Sequence, residues 1–240
     1  MRPLTDTCPK PLLQVRGKPL MQWPMEALAR EGNSRQLINT AWLGEQIESH
    51  FLNKIAAKSK QNNDSLLLNN EQLNLLYSHE GKDFGGALET AGGIVRALPQ
   101  LADVFWVVAG DVFMPQFAFS RADYEKFASG HALAHIWLVP NPAHNQRGDF
   151  GISPDGQALN LPKDAGHQLY TFSTVALYKK FFFQSPLCNI PEGNPQGIKA
   201  ALAPLLRAGM DSGSVTASIY TGEWTDVGTP ERLAQLNQTT

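Results

Sequence analysis

Residues 103–113, DVFWVVAGDVF, restrict the possible folds more than any other segment. An apolar run from Val104 to Ala109 stops abruptly at Gly110-Asp111. It is too short for a helix and shows no polar face, so it reads as a strand buried on both sides. Such strands belong to parallel sheets covered by helices, and the rest of the chain must supply those helices.

It supplies them in alternation. Residues 20–32, LMQWPMEALAREG, place Leu20, Trp23, Ala27 and Leu28 on one helical stripe, with Gly32 at the stop. Residues 43–58 repeat Leu43, Ile47, Phe51 and Ile55 at steps of four. Strands are predicted at QLINT, LNLLYS, ALAHIWLVP, LYTFSTVALY and VTASIYTG. GDFGISPDGQALNL reads as a hairpin with PDG at its turn. HEGKDFGGALETAGG reads as a Gly-rich loop that leads into a helix at IVRALPQL. GIKAALAPLLRAGM reads as a helix broken or kinked near Pro204, and TPERLAQLN as a closing helix with Thr229 as its N-cap and Pro230 at its first position. SKQNNDSLLLNNEQ, residues 59–72, reads as a loop or insertion. The fold class expected is therefore α/β, with a doubly wound, mainly parallel sheet in the first half and a mixed or antiparallel portion in the second. No repeat or linker appears, so residues 1–240 read as a single domain.

A formal net charge of −2 argues against binding duplex nucleic acid, which calls for a basic face. It leaves a nucleotide substrate open, because a pocket needs only a few local cations. Cys8 and Cys188 suit two reduced thiols in a cytoplasmic protein. No apolar run reaches the roughly 20 residues of a membrane span.

Ligands of open parallel sheets bind beyond the carboxyl ends of strands. Asp111 ends the apolar run and suits a Mg²⁺ ligand, or else caps the turn that follows. Asp226, before Gly228 and a helix start, suits a second carboxylate for the same ion, or else a turn former. The small residues of ALETAGGI offer backbone N–H groups to an anion or a base. Lys10 lies between two prolines, so its ammonium is aimed at a fixed point, unless it is only a solvated surface lysine.

Taken in order, RPLTDTCPKPLLQVRGKPL, LETAGGI, VVAGDVF and WTDVGTPERL resemble the sugar-1-phosphate nucleotidyltransferases over almost the whole chain. The resemblance implies a Rossmann-like, doubly wound mixed sheet of the nucleotide-diphospho-sugar transferase type. INTAWLGEQIESHF, RGDFGIS and APLLRAGM are most similar to a uridylyltransferase branch that serves peptidoglycan recycling, with mannose-1-phosphate guanylyltransferase as the alternative. The implied substrates are UTP and a sugar 1-phosphate, the implied metal is Mg²⁺, and a monomer or homodimer is expected. Asp111 and Asp226 would hold the metal, and Lys10 would face the reacting phosphates. Glu80 would read the base, although a carboxylate there accepts from uracil and guanine alike. The backbone of Ala91, Gly92 and Gly93 would support the base or ribose. Gly148, Asp149 and Gly151 would line the sugar pocket, together with Asn39 and Trp42, the latter being equally suited to plain packing. Lys163 would reach the sugar phosphate, though NLPKDAG departs from the family's usual E-K-P. His131, His135 and His144 have no ligand spacing.

The resemblance also implies that the family's first strand and the glycine half of its loop, roughly a dozen residues, precede Met1. Arg2 is then not the family's catalytic Arg. A misassigned start is the favoured expectation; the alternative is a shortened, inactive homologue acting as a binding or regulatory subunit. On either reading the 240-residue chain by itself is expected to be poorly stable and nearly inactive.

Overall fold

The computed structural model describes residues 1–58, 66–68, 71–162 and 166–238. In chain order they form helix α1 (Leu4–Thr7), strands β1 (Gln14–Val15) and β2 (Lys18–Pro19), α2 (Gln22–Arg30), β3 (Arg35–Thr40), α3 (Gly44–Lys58), β4 (Leu66–Leu68), β5 (Glu71–His79), α4 (Glu80–Phe84) and α5 (Glu89–Ala97). There follow β6 (Val104–Val107), β7 (Val112–Phe113), α6 (Arg121–Ser129), β8 (Ala134–Val139), β9 (Gly151–Ile152), β10 (Ala158–Leu159), β11 (Thr171–Lys179), α7 (Leu202–Asp211), β12 (Val215–Ile219), β13 (Thr225–Asp226) and α8 (Pro230–Gln238). The expected mixed α/β architecture is present.

The chain divides into two compact units. One comprises Met1–Ala87, Gly110–Ser120 and Glu223–Thr240; the other comprises Leu88–Ala109 and Arg121–Gly222.

In the first unit β3 and β5 run parallel, Asn39 opposite Ser78 and Thr40 opposite His79, and β4 adds antiparallel to β5. The core against this sheet joins Met21, Met25 and Ala29 to Ile47, Phe51 and Leu73, so the expected Ile47 and Phe51 are in it, while the expected α2 stripe is corrected: Leu20 precedes the helix and packs with Trp23 near Phe113 instead. A second core joins Val15 and Leu20 to Phe113, Val227 and Leu236, which draws β7, β13 and α8 around the β1–β2 turn. Fully buried Phe113 contributes about 1.5–3 kcal/mol there by leaving water. Arg16 adds a polar tie, donating from Nη2 to Glu223 Oε1 (2.5 Å) while its guanidinium lies over the Phe113 ring. Of the predicted loop at 59–72, residues 66–68 form β4 and β5 already begins at Glu71, while 59–65 and 69–70 lie outside the described residues.

In the second unit four strands are ordered β12-β8-β11-β6, with β12 parallel to β8 and β11 antiparallel to both neighbours. Ile94, Val95 and Leu98 pack with Leu205, Leu206 and Met210 against Phe105, Ile136, Leu138 and Tyr178. Three expectations are corrected here. Among the described residues the strand at 104–107 pairs with β11 alone, at the edge of this sheet; Phe105 is buried while Trp106 and Val107 are half-buried. ETAGG is not loop but the body of α5. Glycine is tolerated in that helix because the chain passes so close that a Cβ on Gly92 would lie 2.5 Å from Ile198 O. Residues 197–201 are not helical; α7 starts at Leu202, so Pro204 sits in its first turn, where no intrahelical N–H is needed. The PDG hairpin is present, with Gly156 at φ +85°.

His135 lies opposite Thr216 across the β8–β12 pair, with Nδ1 and Oγ1 2.8 Å apart. Burial, aided by the Lys126 charge, pushes its pKa from the usual 6.5 down to about 4. Below pH 6.5 the unfolded chain takes up a proton that the folded chain refuses until about pH 4, so stability falls as pH drops through that window and is full above it. Urea midpoints are expected to decline between those limits, and to decline less in His135→Gln. Equal declines in the two proteins would show that another group controls the acid limb.

Candidate active site

Backbone pairing of remote segments builds the centre of the first unit. β13 pairs antiparallel with β7, Asp226 opposite Val112, and Val227 N donates to Asp111 O at 3.0 Å. This ladder sets Asp111 and Asp226 side by side. The turn Lys10–Leu12, stiffened by Pro9 and Pro11, brings in the cation. Gly110 permits the approach, since a Cβ there would lie 3.3 Å from Pro11 Cγ. Lys10 Nζ then donates to Asp111 Oδ2 at 2.6 Å and lies 3.9 Å from Asp226 Oδ1. All three side chains are partly open to solvent, between 25% and 38% exposed. The predicted Lys10, Asp111 and Asp226 are thus together, and one ammonium faces both carboxylates.

This donor set fits a small hard cation. It consists of carboxylate oxygens alone, and among the described residues no cluster of three or more His, Cys, Asp or Glu forms a fuller cage. Mg²⁺ is commonly held in this way, by one or two carboxylates with substrate phosphates and water completing its shell.

In the same unit, Asn39 and Glu80 lie at the carboxyl ends of parallel β3 and β5. Glu80 is 4% exposed at the start of α4, and the fit is close: a Cβ on Gly81 would lie 2.4 Å from Ala41 O. Asn39 is exposed. Trp42 is 65% exposed, so it is no core residue; its Nε1–H donates to Thr5 O at 2.9 Å. Cys8 and Cys188 form no disulfide, and burial pushes the Cys8 thiol up, away from thiolate chemistry.

The remaining predicted residues fall in the second unit. Ala91, Gly92 and Gly93 are buried in the first turns of α5, and the N–H groups of Ala91 and Gly92 both donate to Ala200 O. Gly148 takes φ +66° where a Cβ would lie 2.8 Å from the Leu169 carbonyl carbon. Asp149 Oδ2 accepts from Phe172 N (3.0 Å) and Asn145 Nδ2 (3.1 Å), so it braces the loop against β11. Just beyond, β11 bulges, and Thr174 adopts φ +69°, a strained conformation for a β-branched residue. Gly151 packs under Leu161 in β9. Lys163 lies outside the described residues.

Sequence reasoning passed over Arg232, whose Nη1 donates to Asp226 Oδ2 at 3.0 Å and to Asp226 O at 2.8 Å. The only signal was its place as the third residue of a capped helix that starts four residues after the aspartate. Thr229 is that cap, its Oγ1 accepting from Arg232 N at 3.3 Å.

Comparison with known proteins adds a context. Residues 1–240 match the family described as Nucleotidyl transferase. A protein of Neisseria meningitidis serogroup B, named N-acetylmuramate alpha-1-phosphate uridylyltransferase, is 41% identical over 238 residues, covering 98% of this chain and 90% of that one. Mannose-1-phosphate guanylyltransferase catalytic subunit beta of Drosophila pseudoobscura pseudoobscura is 25% identical, covering 96% of this chain and 56% of that one. Among solved structures, a putative glucose-1-phosphate thymidylyltransferase from Bacillus anthracis superposes with a TM-score of 0.69 at 18% identity, covering 99% of this chain and 89% of that one.

Proposed function

The chain belongs to the nucleotidyl transferase family as a sugar-1-phosphate nucleotidyltransferase, and from that premise we propose that it joins UTP to N-acetylmuramate α-1-phosphate, in the cytoplasm, as a step of peptidoglycan recycling. The observation that carries the reaction is the meeting of Lys10, Asp111 and Asp226. Support for the substrate comes from the 41% identity to the Neisseria protein of that name.

The sugar phosphate supplies an oxygen that bonds to the α-phosphorus of UTP. The bond from that phosphorus to the bridging oxygen breaks, and pyrophosphate leaves with the electron pair. No protein nucleophile is needed, and catalysis is positioning and charge neutralisation. Lys10 neutralises the α-phosphate and the incoming phosphate, and its proline-flanked turn holds it in line. Asp111 and Asp226 would hold Mg²⁺, which when bound supplies the charge that stabilises the leaving pyrophosphate. Glu80 accepts a hydrogen bond from the base. Asn39 and Trp42, in the same unit, orient the sugar.

The deciding experiment offers UTP, GTP and dTTP, each with N-acetylmuramate, mannose or glucose 1-phosphate, and measures pyrophosphate release and nucleotide-sugar mass. UTP with N-acetylmuramate 1-phosphate is expected to dominate. A preference for GTP with mannose 1-phosphate would overturn the base and sugar assignment. Nucleotide binding with no turnover of any pair would overturn the enzymatic reading in favour of a regulatory subunit.

A further inference from the structure

We propose that Arg232 is a positioning residue that orients the Asp226 carboxylate; this rests on the reading of Asp226 as a metal ligand. Strand pairing of β13 with β7 fixes where the Asp226 backbone lies, but it leaves the side chain free to rotate. Arg232 removes that freedom. One nitrogen, Nη1, donates both to Oδ2 (3.0 Å) and to the main-chain carbonyl of the same aspartate (2.8 Å). With Oδ2 held, Oδ1 is the oxygen turned toward Lys10 Nζ, 3.9 Å away.

The local sequence builds this clamp. Thr229 caps α8 through the Arg232 N–H, and Pro230 presets the first helical dihedral, so the position of residue 232 is fixed. Side chains of a helix lean toward its N-terminus, which carries the guanidinium back over the turn to Asp226. Gly228 keeps the path open: a Cβ there would lie 3.3 Å from both Nη atoms and from Asp226 Oδ1. Arg232 is 23% exposed and Asp226 33%, so the pair is partly shielded from water.

Charge and geometry predict opposite results when Arg232 is lost. Removing a nearby cation would by itself tighten the binding of a divalent ion. Losing the orientation of a ligand weakens it, commonly by about 10–100-fold. Mn²⁺ binding, alone and with UTP, is therefore measured by the electron paramagnetic resonance signal of free Mn²⁺, in wild type, Arg232→Ala, Arg232→Lys and Asp226→Asn. Thermal melting checks each fold, and Arg232→Lys serves if the alanine variant does not fold. Arg232→Ala is expected to weaken Mn²⁺ binding about 10-fold, and to raise the metal concentration needed for half-maximal rate while the KM for the sugar phosphate stays within about twofold. Arg232→Lys keeps the charge without the rigid planar fork and is expected to fall between. Unchanged or tighter binding in Arg232→Ala, with Asp226→Asn weakened, overturns the clamp alone. Unchanged binding in Asp226→Asn overturns the metal assignment of Asp226, and the clamp with it.

Discussion

Asp111→Asn is expected to lower kcat/KM by about 10³-fold, or ~4 kcal/mol of transition-state stabilisation, in the protein as the cell makes it. The substitution keeps the side-chain shape and removes the charge. Asp111 lies 2.6 Å from Lys10 Nζ, so its loss removes a proposed metal ligand and also lets the aimed ammonium swing toward solvent. The fold should barely notice. The pair is partly exposed, and an exposed ion pair contributes only about 0–1 kcal/mol. Continuous pyrophosphate release gives kcat/KM, and a urea titration gives stability. A rate loss under tenfold would mean that Asp111 caps its turn and carries no chemistry. A large loss of both rate and stability would mean that its role is structural.

Asn194→Ala is expected to cost about 2–3 kcal/mol of stability by leaving one buried backbone group, Gly92 O, and two partly buried ones on Ile198 without partners. Asn194 is fully buried, with φ +44°, a conformation Asn accepts more readily than most residues. Its Nδ2 donates to Gly92 O (3.1 Å) and Ile198 O (2.8 Å), and its Oδ1 accepts from Ile198 N (2.8 Å). It thereby holds the 194–200 segment against α5, where Ala200 O accepts from Ala91 N and Gly92 N. Asn194→Asp should be no better than alanine, because it sets a carboxylate oxygen against two carbonyls. Chemical denaturation of both variants gives the answer. A loss under 1 kcal/mol would show that water replaces the side chain without difficulty.

Asn194 and Arg232 also mark where reading a sequence ends. The helix at 22–30, the PDG turn and the Thr229-Pro230 cap were legible because each depends on residues within one or two turns of chain, whereas the face that α2 turns to the sheet, Met21, Met25 and Ala29, was not. The motif order carried the family and, through it, the pairing of Asp111 with Asp226, which no spacing could show: Lys10 lies 101 residues from Asp111. The errors share one cause. ETAGG looks like a loop by propensity, yet close packing at Gly92 makes it helix. VFWVVA looks doubly buried, yet among the described residues it pairs on one side only, with β11, at a sheet edge. Pro204 looks like a break, yet it opens a helix.

What the sequence determined by itself is therefore the class of fold, the places where most strands and helices form, and the family's set of charged residues. Those follow from hydrophobic periodicity, turn chemistry and motif order, all local along the chain. Only the tertiary structure decided which oxygen of Asp226 faces Lys10, that Arg232 holds the other, and that a single asparagine ties a loop to α5. A polar side chain satisfies itself with whatever donor or acceptor the folded chain brings within about 3 Å, and its sequence neighbours carry no record of that partner.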